Sequence, residues 1–519
     1  MKRFLCLFLC AIMFLSVFTA CGDDSEKPYI PTGDALTYEN DYTGPAVTTP
    51  PEEEKPQELM LAYYADKSMN PYKCNDFTNR TLFSLIYQGL FAVDRQYNAH
   101  PILCASYTMS RDMKRYEFFI DSSATFSDGT PLTAQDVVAS LKAASGSTMF
   151  SGRFRHVRGI FLSEEGSVII TLWNANDSLP LLLDIPIVKE LEVDADFPLG
   201  SGPYYWNANG PTPRLTRNSR WWCKSNNLLI TAQDIDLVAG ESPAHIRDQF
   251  EFYDVGLVCA DPGSDSYADY RCDYELWDCE TGIFVYLTAN RNSDVFRSRE
   301  MRVALTYAID RDKLVDRYYR GFARSATLPA SPSSPYYNVN LAEKYEFDPT
   351  LFSQAVKNAG VQGRTVTLLV NSNDSLRTRA AREIALMLNN CGLVVEVVPK
   401  SSSNYLRALR NGEFDLYLGQ TKLSANMDLT AFFSQNGNMS YGGISDPAVM
   451  TLCAQAMENI GNYYTLHKTI MDDGLFCPIL FRSYAVYAER GLLTELQPSR
   501  DNVFYYTIGK DMETALRDE

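Results

Sequence analysis

The feature that most narrows the fold is a strand–helix–strand pattern in the second half of the chain. Val366, Leu368 and Val370 alternate as in a strand, Val394, Val395 and Val397 begin another, and a predicted helix from about Thr378 to Leu388 lies between them. Units of this kind build mixed α/β sheets. Comparable signals run from Glu58 onward without repeats. Leu59 to Tyr64 is a short apolar strand. Thr81 to Phe91 places Leu82, Leu85, Ile86 and Leu90 at helical spacing, with Thr78 or Asn79 as caps. Tyr116, Phe118 and Ile120 alternate in a strand, and Val168 to Leu172 forms another. Ser127 to Thr130 has turn chemistry, and Thr133 caps a helix through Val137, Val138 and Leu141 with Asp136 in its first turn. Gly200 to Tyr204 is a tight turn opening a β segment. Met301 to Ile309 is an apolar-faced helix; Asp310 restarts one that ends near Gly321, and Ala330 to Tyr337 reads as a surface loop. At 519 residues the chain has room for more than one lobe.

Lys2 and Arg3 precede an apolar run from Phe4 to Phe18, then Thr19, Ala20, Cys21 and Gly22. This is the pattern of a secretory signal, and the run is shorter than the roughly 20 residues of a spanning helix. A cysteine directly after small residues resembles the bacterial lipobox, although Phe18 stands where that motif usually has Leu. In such signals the cysteine is diacylated, and two acyl chains anchor stably where one is marginal. The expected arrangement is a signal peptide over 1–20, a lipidated flexible tether over 21–57, and an extracytoplasmic body held to the bacterial cell membrane by lipidated Cys21. The tether follows from composition: Asp23, Asp24, Pro28, Pro31, Pro50, Pro51 and Glu52 to Glu54 cannot bury enough apolar surface to offset ordering entropy.

A net charge of −17 argues against nucleic acid, whose phosphates it would repel. Beyond Cys6 and Cys10 of the signal and Cys21, nine cysteines remain without C-x-x-C spacing, and only four histidines are scattered along the chain. No metal site or cofactor is expected from these. Cys272 and Cys279 flank a short polar loop and either pair or remain free thiols. No G-x-S-x-G, H-E-x-x-H or S-x-x-K arrangement supports a hydrolase, so no catalytic residue is assigned.

Five landmarks then occur in one order. Asn70-Pro71 with Ile86 to Phe91 is similar to "NP…IYEGLF". Phe126 to Val138 is nearly "FSDGTPLTAEDVV", Gly200 to Tyr204 resembles "GTGPY", Arg302 to Arg311 resembles "RQALAYAIDR", and Gly412 to Asp415 resembles "GxFD". Together they resemble the family 5 extracellular solute-binding proteins, the oligopeptide, dipeptide and nickel-binding components of ABC importers. The resemblance implies an α/β fold with mixed sheets: a two-lobed periplasmic-binding-protein-like clamp with an extra inserted domain. Lobe I would take 58–88, 200–285 and 485–519, the inserted domain 89–199, and lobe II 286–484. It implies a small-molecule or peptide ligand and ABC permease subunits as partners; a monomer is the default expectation. A lipoprotein of the same fold that senses its ligand rather than importing it has the same sequence requirements.

Peptide-binding members place an Asp after the "GxFD" strand, in a "GW-x-x-D" context, against the ligand's amino group. Here Thr421 holds the Trp position and Ser424 the Asp position, so the expected anion is missing. Asp428 is the nearby acid that could replace it if the loop shifts, and Lys422 faces either a ligand carboxylate or solvent. Family position adds Ser68 after the first strand, Met149 and Phe150 on the inserted domain's loop, Gln420 beside Thr421, and Arg482 and Tyr484 where the chain returns to lobe I. Most landmark residues read as structural: Thr133 and Asp136 as caps, Gly200, Gly202 and Pro203 as a turn, Arg302 and Asp310 as helix-ordering groups.

Overall fold

The computed structural model describes residues 58–508, apart from 224–226, 265–266, 436 and 494. The signal, Cys21 and the tether lie outside the described residues.

An eleven-stranded mixed sheet organises the body. At one end Val394–Lys400, Thr365–Asn371 and Leu416–Lys422 lie side by side in parallel, the first two joined by the helix Ser375–Asn390. At the other end Asp234–Ala239, Leu59–Tyr63 and Leu257–Ala260 are also parallel. An antiparallel ribbon of two long strands, Tyr274–Ala289 and Cys477–Glu489, joins the ends. Its register breaks between Glu280 and Ile283. Before the break the ribbon belongs with the second of these ends, Ala485–Ala488 pairing against Leu257–Ala260; after it, Ile283–Ala289 pairs with Leu416–Lys422 at the first. The apolar cores divide at the same place. Cys279 packs with Leu59, Leu61 and Ile235, whereas Phe284 and Val285 pack with residues of the second lobe. The fold is therefore α/β, two-lobed, with mixed sheets.

The inserted segment carries its own antiparallel sheet, ordered Cys104–Met109, Arg115–Ile120, Val168–Leu172, Val157–Leu162, beneath the helix Ala134–Gly146. Tyr116 and Phe118 point inward from the alternating strand. Its core is continuous with that of the first lobe. Asp136 accepts hydrogen bonds from the Thr133 N–H and hydroxyl and from the Glu190 N–H, a structural knot at the helix start. Gly200 and Gly202 are required by a close approach: a Cβ would stand 2.0 Å and 2.4 Å from the carbonyl oxygens of Ile86 and Leu85. Asp310 caps the helix Arg311–Tyr318, and Arg302 donates to the carbonyls of Phe296 and Arg297.

Two local expectations differ, and one left open is decided. The helix expected over Thr81 to Phe91 is two short ones, Phe77–Thr81 and Phe83–Ile86, the first capped by Asp76. Tyr87 is already extended, and Gly89 beyond it lies against the backbone of Asp184 and Ile185. Asn79 is fully buried; its amide exchanges hydrogen bonds with the backbone of Tyr64. Ala330 to Tyr337 is not a surface loop: Ser331 bonds Glu280, and Tyr336 packs on Tyr463. Turn residues predict a bend but carry no information on what covers it. Cys272 and Cys279 are both free. Cys279 sits well inside the long strand, which puts more than about 15 Å of extended chain between them, against the 7 Å limit of a disulfide.

Candidate functional site

Three separate parts of the chain meet beside the register break. The strand Leu416–Lys422 ends in Thr421 and Lys422 and runs into the loop 423–429. The inserted segment contributes the 3-10 turn Ser151–Phe154 and the residues after it. Near the C-terminus a tight turn closes between Ser499 and Asn502, each N–H donating to the other's carbonyl at 2.9 Å. That turn holds Arg500 at a left-handed φ of 56°, which few residues with a β-carbon adopt. The Arg500 N–H donates to the Glu280 carbonyl (2.7 Å), fastening the turn to the ribbon. Gly282, at φ +73°, leaves space for the guanidinium: a Cβ there would lie 2.6 Å from Arg500 Nη1.

Between these parts is a cavity of about 130 Å³ lined by Met149, Arg153, Arg155, Thr421 to Ser424, Asp428, Phe432, Met439, Arg500 and Asp501. Its two carboxylates are fully engaged. Asp501 takes Lys422 Nζ at 2.5 and 2.6 Å, pairs with Arg80, and has Arg153 at 3.7 Å. Burial opposes the Asp501 charge, yet Lys422, Arg80 and Arg153 outweigh it and hold the carboxyl far below the usual carboxylate range. Arg153 in turn pairs with Asp184. Asp428 accepts from the Thr430 N–H and hydroxyl, from His156 at 3.0 Å and from Arg155 at 3.3 Å. Burial again opposes the charge, but the His156 hydrogen bond and the neighbouring cations lower the pKa to about 2. About a third of the Lys422 side chain remains open, while its ammonium is drawn in among charged groups. Burial pulls that ammonium down to about 8, helped by Arg500 and Arg80 and resisted by Asp501.

Of the sequence-derived residues, Thr421, Lys422 and Asp428 line this cavity, as does Met149. Gln420 and Arg482 meet each other instead: Arg482 donates to Gln420 Oε1 at 3.1 Å and to both oxygens of Asp261, bridging the two lobes. Tyr484 packs edge-on to Phe77 and lines a second cavity of about 210 Å³ with Asp76, Arg247, Asp261 and Tyr267. Phe150 is buried against Tyr72, beneath the Arg153 guanidinium. Ser68 lines neither cavity; its hydroxyl accepts the Asn70 N–H. Ser424, at the position of the missing Asp, has its hydroxyl bonded to Asn426.

Sequence reasoning missed Arg80, Arg153, Arg155, Arg500 and Asp501, and saw His156 only as one of the scattered histidines. The one available signal was two charged residues between Ser499 and Asn502, just before the aromatic run Phe504 to Tyr506. Among the described residues no group of three or more His, Cys, Asp or Glu could hold a metal ion. No helix there is long and apolar enough to cross a membrane.

Residues 98–441 match the model of bacterial extracellular solute-binding proteins, family 5, middle. The glutathione-binding protein GsiB of Escherichia coli (strain K12) is 25% identical over 367 residues, covering 64% of this chain and 67% of its own. Among solved structures, HbpA2 from Haemophilus parasuis superposes with a TM-score of 0.73 at 18% identity, over 87% of this chain and 99% of that one. A peptide-binding protein described as AppA from Clostridium difficile gives 0.69 at 17%, over 87% and 100%.

Proposed function

The chain belongs to the bacterial extracellular solute-binding proteins, family 5, and on that premise we propose that it captures a small solute between its lobes and delivers it to an ABC permease. The observation that carries this reading is the make-up of the cavity wall. Residues from the inserted segment, the second lobe and the C-terminal turn surround one space, held together by Arg155–Asp428, His156–Asp428 and Lys422–Asp501. Such contacts can form and break as the lobes rock, and the ribbon's register break at Glu280–Ile283 is the natural hinge. A solute that touches all three parts gains most in the closed form, so it shifts the population toward closure. The permease then reads the closed shape.

The same reading divides the body into lobe I (58–88, 200–285 and 485–519, the last eleven residues lying outside the described ones), an inserted domain (89–199) and lobe II (286–484). It has Cys21 acylated, which keeps the body near its permease at the outer face of the membrane. Peptides or peptide-like solutes are the wider ligand class. The test is a thermal-shift screen of the full-length chain in detergent against peptides, amino acids and organic acids, followed by small-angle scattering. At least one solute should raise Tm and shrink the radius of gyration. A screen with no hit and no compaction removes the proposal. Replacing Cys21 with Ala should move the protein from the membrane fraction to the soluble one.

A further inference from the structure

Arg500 is 4% exposed, and among the described residues its guanidinium donates a single hydrogen bond, to the Leu423 carbonyl at 2.8 Å. Its Nε and Nη1 have no partner among the described residues. None of the ion pairs found there includes Arg500 either, because the adjacent Asp501 is taken by Lys422, Arg80 and Arg153. Tyr97 offers only a ring face, 5.9 Å from the guanidinium carbon. A charge removed from water without an anion is costly, and arginine cannot shed its proton to escape that cost. The backbone adds a second cost through its left-handed conformation. Strain and an unmet charge at one residue of a cavity wall mark a group held ready for something absent from the chain itself.

The rest of the wall identifies that partner's charge. Arg153, Arg155, Lys422 and Arg500 line the cavity against only Asp428 and Asp501. Both carboxylates are saturated by protein groups, so among the described lining residues no free carboxylate is left to pair with a ligand ammonium. Met149, Leu423, Phe432 and Met439 supply apolar surface for a short carbon body. The volume of about 130 Å³ is below the roughly 300 Å³ at which pockets for larger ligands begin. It is near that of a cavity that admits benzene, about 150 Å³.

We propose that this cavity takes a small organic acid, and that the ligand's carboxylate or equivalent anionic group is received by the buried guanidinium of Arg500. The inference rests on the solute-capture reading and narrows it. A guanidinium recognises carboxylate and phosphate alike through paired N–H donors, so the shared chemistry is a compact oxyanion on a small apolar frame.

The experiment is native mass spectrometry of freshly purified full-length protein, then identification of the released solute in both ion polarities. Where nothing co-purifies, the strongest hit of the thermal-shift screen serves as the solute. It should carry at least one acidic group, and its mass will distinguish carboxylate from phosphate. Calorimetry should then find binding at least tenfold weaker for Arg500→Gln. The neutral amide or ester of the same solute, tested on wild-type protein, should also bind at least tenfold more weakly; this arm does not depend on the variant folding. A solute without an acidic group, a neutral derivative that binds as tightly as the acid, or a folded Arg500→Gln protein of undiminished affinity overturns the inference and leaves solute capture standing. No solute by either route overturns both.

Discussion

Arg311 and Arg500 are equally buried, at 4% exposure each, and among the described residues neither is in an ion pair with a carboxylate. Their accounts nevertheless differ. In the second lobe, Arg311 Nε donates to the carbonyls of Ala326 and Pro478, Nη1 to those of Thr306 and Ile309, and Nη2 to the Thr306 hydroxyl. It stitches a helix start to the end of a long strand, and backbone dipoles disperse its charge. Arg500, in the cavity wall, makes one such bond. Burial without an acid is therefore no sign of function by itself; the N–H groups left over are. His467 supplies the third case. It is fully buried, and neither ring nitrogen has a partner among the described residues. Histidine can resolve this by giving up its charge, and burial does lower it to about 3. Only Arg500 has neither enough partners nor a neutral form.

The comparison breaks first on stability. Arg311→Met strands several buried carbonyls, so it should cost roughly 3–5 kcal/mol in denaturant unfolding. Arg500→Met removes an uncompensated charge, so it should stay within about 1 kcal/mol of wild type or gain stability. Equal losses for the two variants would make Arg500 a second structural arginine.

His467 sharpens the contrast through pH. Its folded pKa lies below the ordinary 6.5, so the unfolded chain takes the proton first. The stability this group contributes is complete above about pH 6.5 and is lost as pH falls toward 3. Between pH 6.5 and 5 the loss should be about 2 kcal/mol, read as the difference between wild type and His467→Phe to cancel other groups. Parallel curves for the two proteins would show that His467 is not held neutral.

Much of the frame was legible because its signals are local. The helix cap at Thr133 and Asp136, the turn Ser127 to Thr130 and the strand–helix–strand unit each depend on residues a few positions apart. The loop that departs from the peptide-binding pattern also led to the cavity, where Thr421, Lys422 and Asp428 stand together. The rest of the wall was hidden by distance along the chain: Arg80 and Asp501 are 421 positions apart, and no periodicity couples them. Asp428 shows the same limit in reverse. As a sequence it is a free acid; in the structure His156 and Arg155, more than 270 positions away, already occupy it. Arg482 and Gln420 likewise looked available and are joined to each other and to Asp261.

The smallest expected effect, and the most selective, belongs to Lys422. Its ammonium touches Asp501, yet burial with Arg500 and Arg80 nearby leaves its pKa at about 8. Raising the pH through 8 removes one positive charge from the cavity, so affinity for an acid should fall a few-fold between pH 7 and 9.5. The neutral amide should show no such slope, and Lys422→Gln should flatten it for the acid. Stability moves the other way. The unfolded lysine keeps its proton to about pH 10.5, so between 8 and 10.5 the unfolded state binds more protons and the fold gains as pH rises. Opposite signs for ligand affinity and stability across one pH window are difficult to obtain from a lysine that merely holds two lobes together. A lysine serving only as a latch to Asp501 would leave the acid and its amide with the same pH profile.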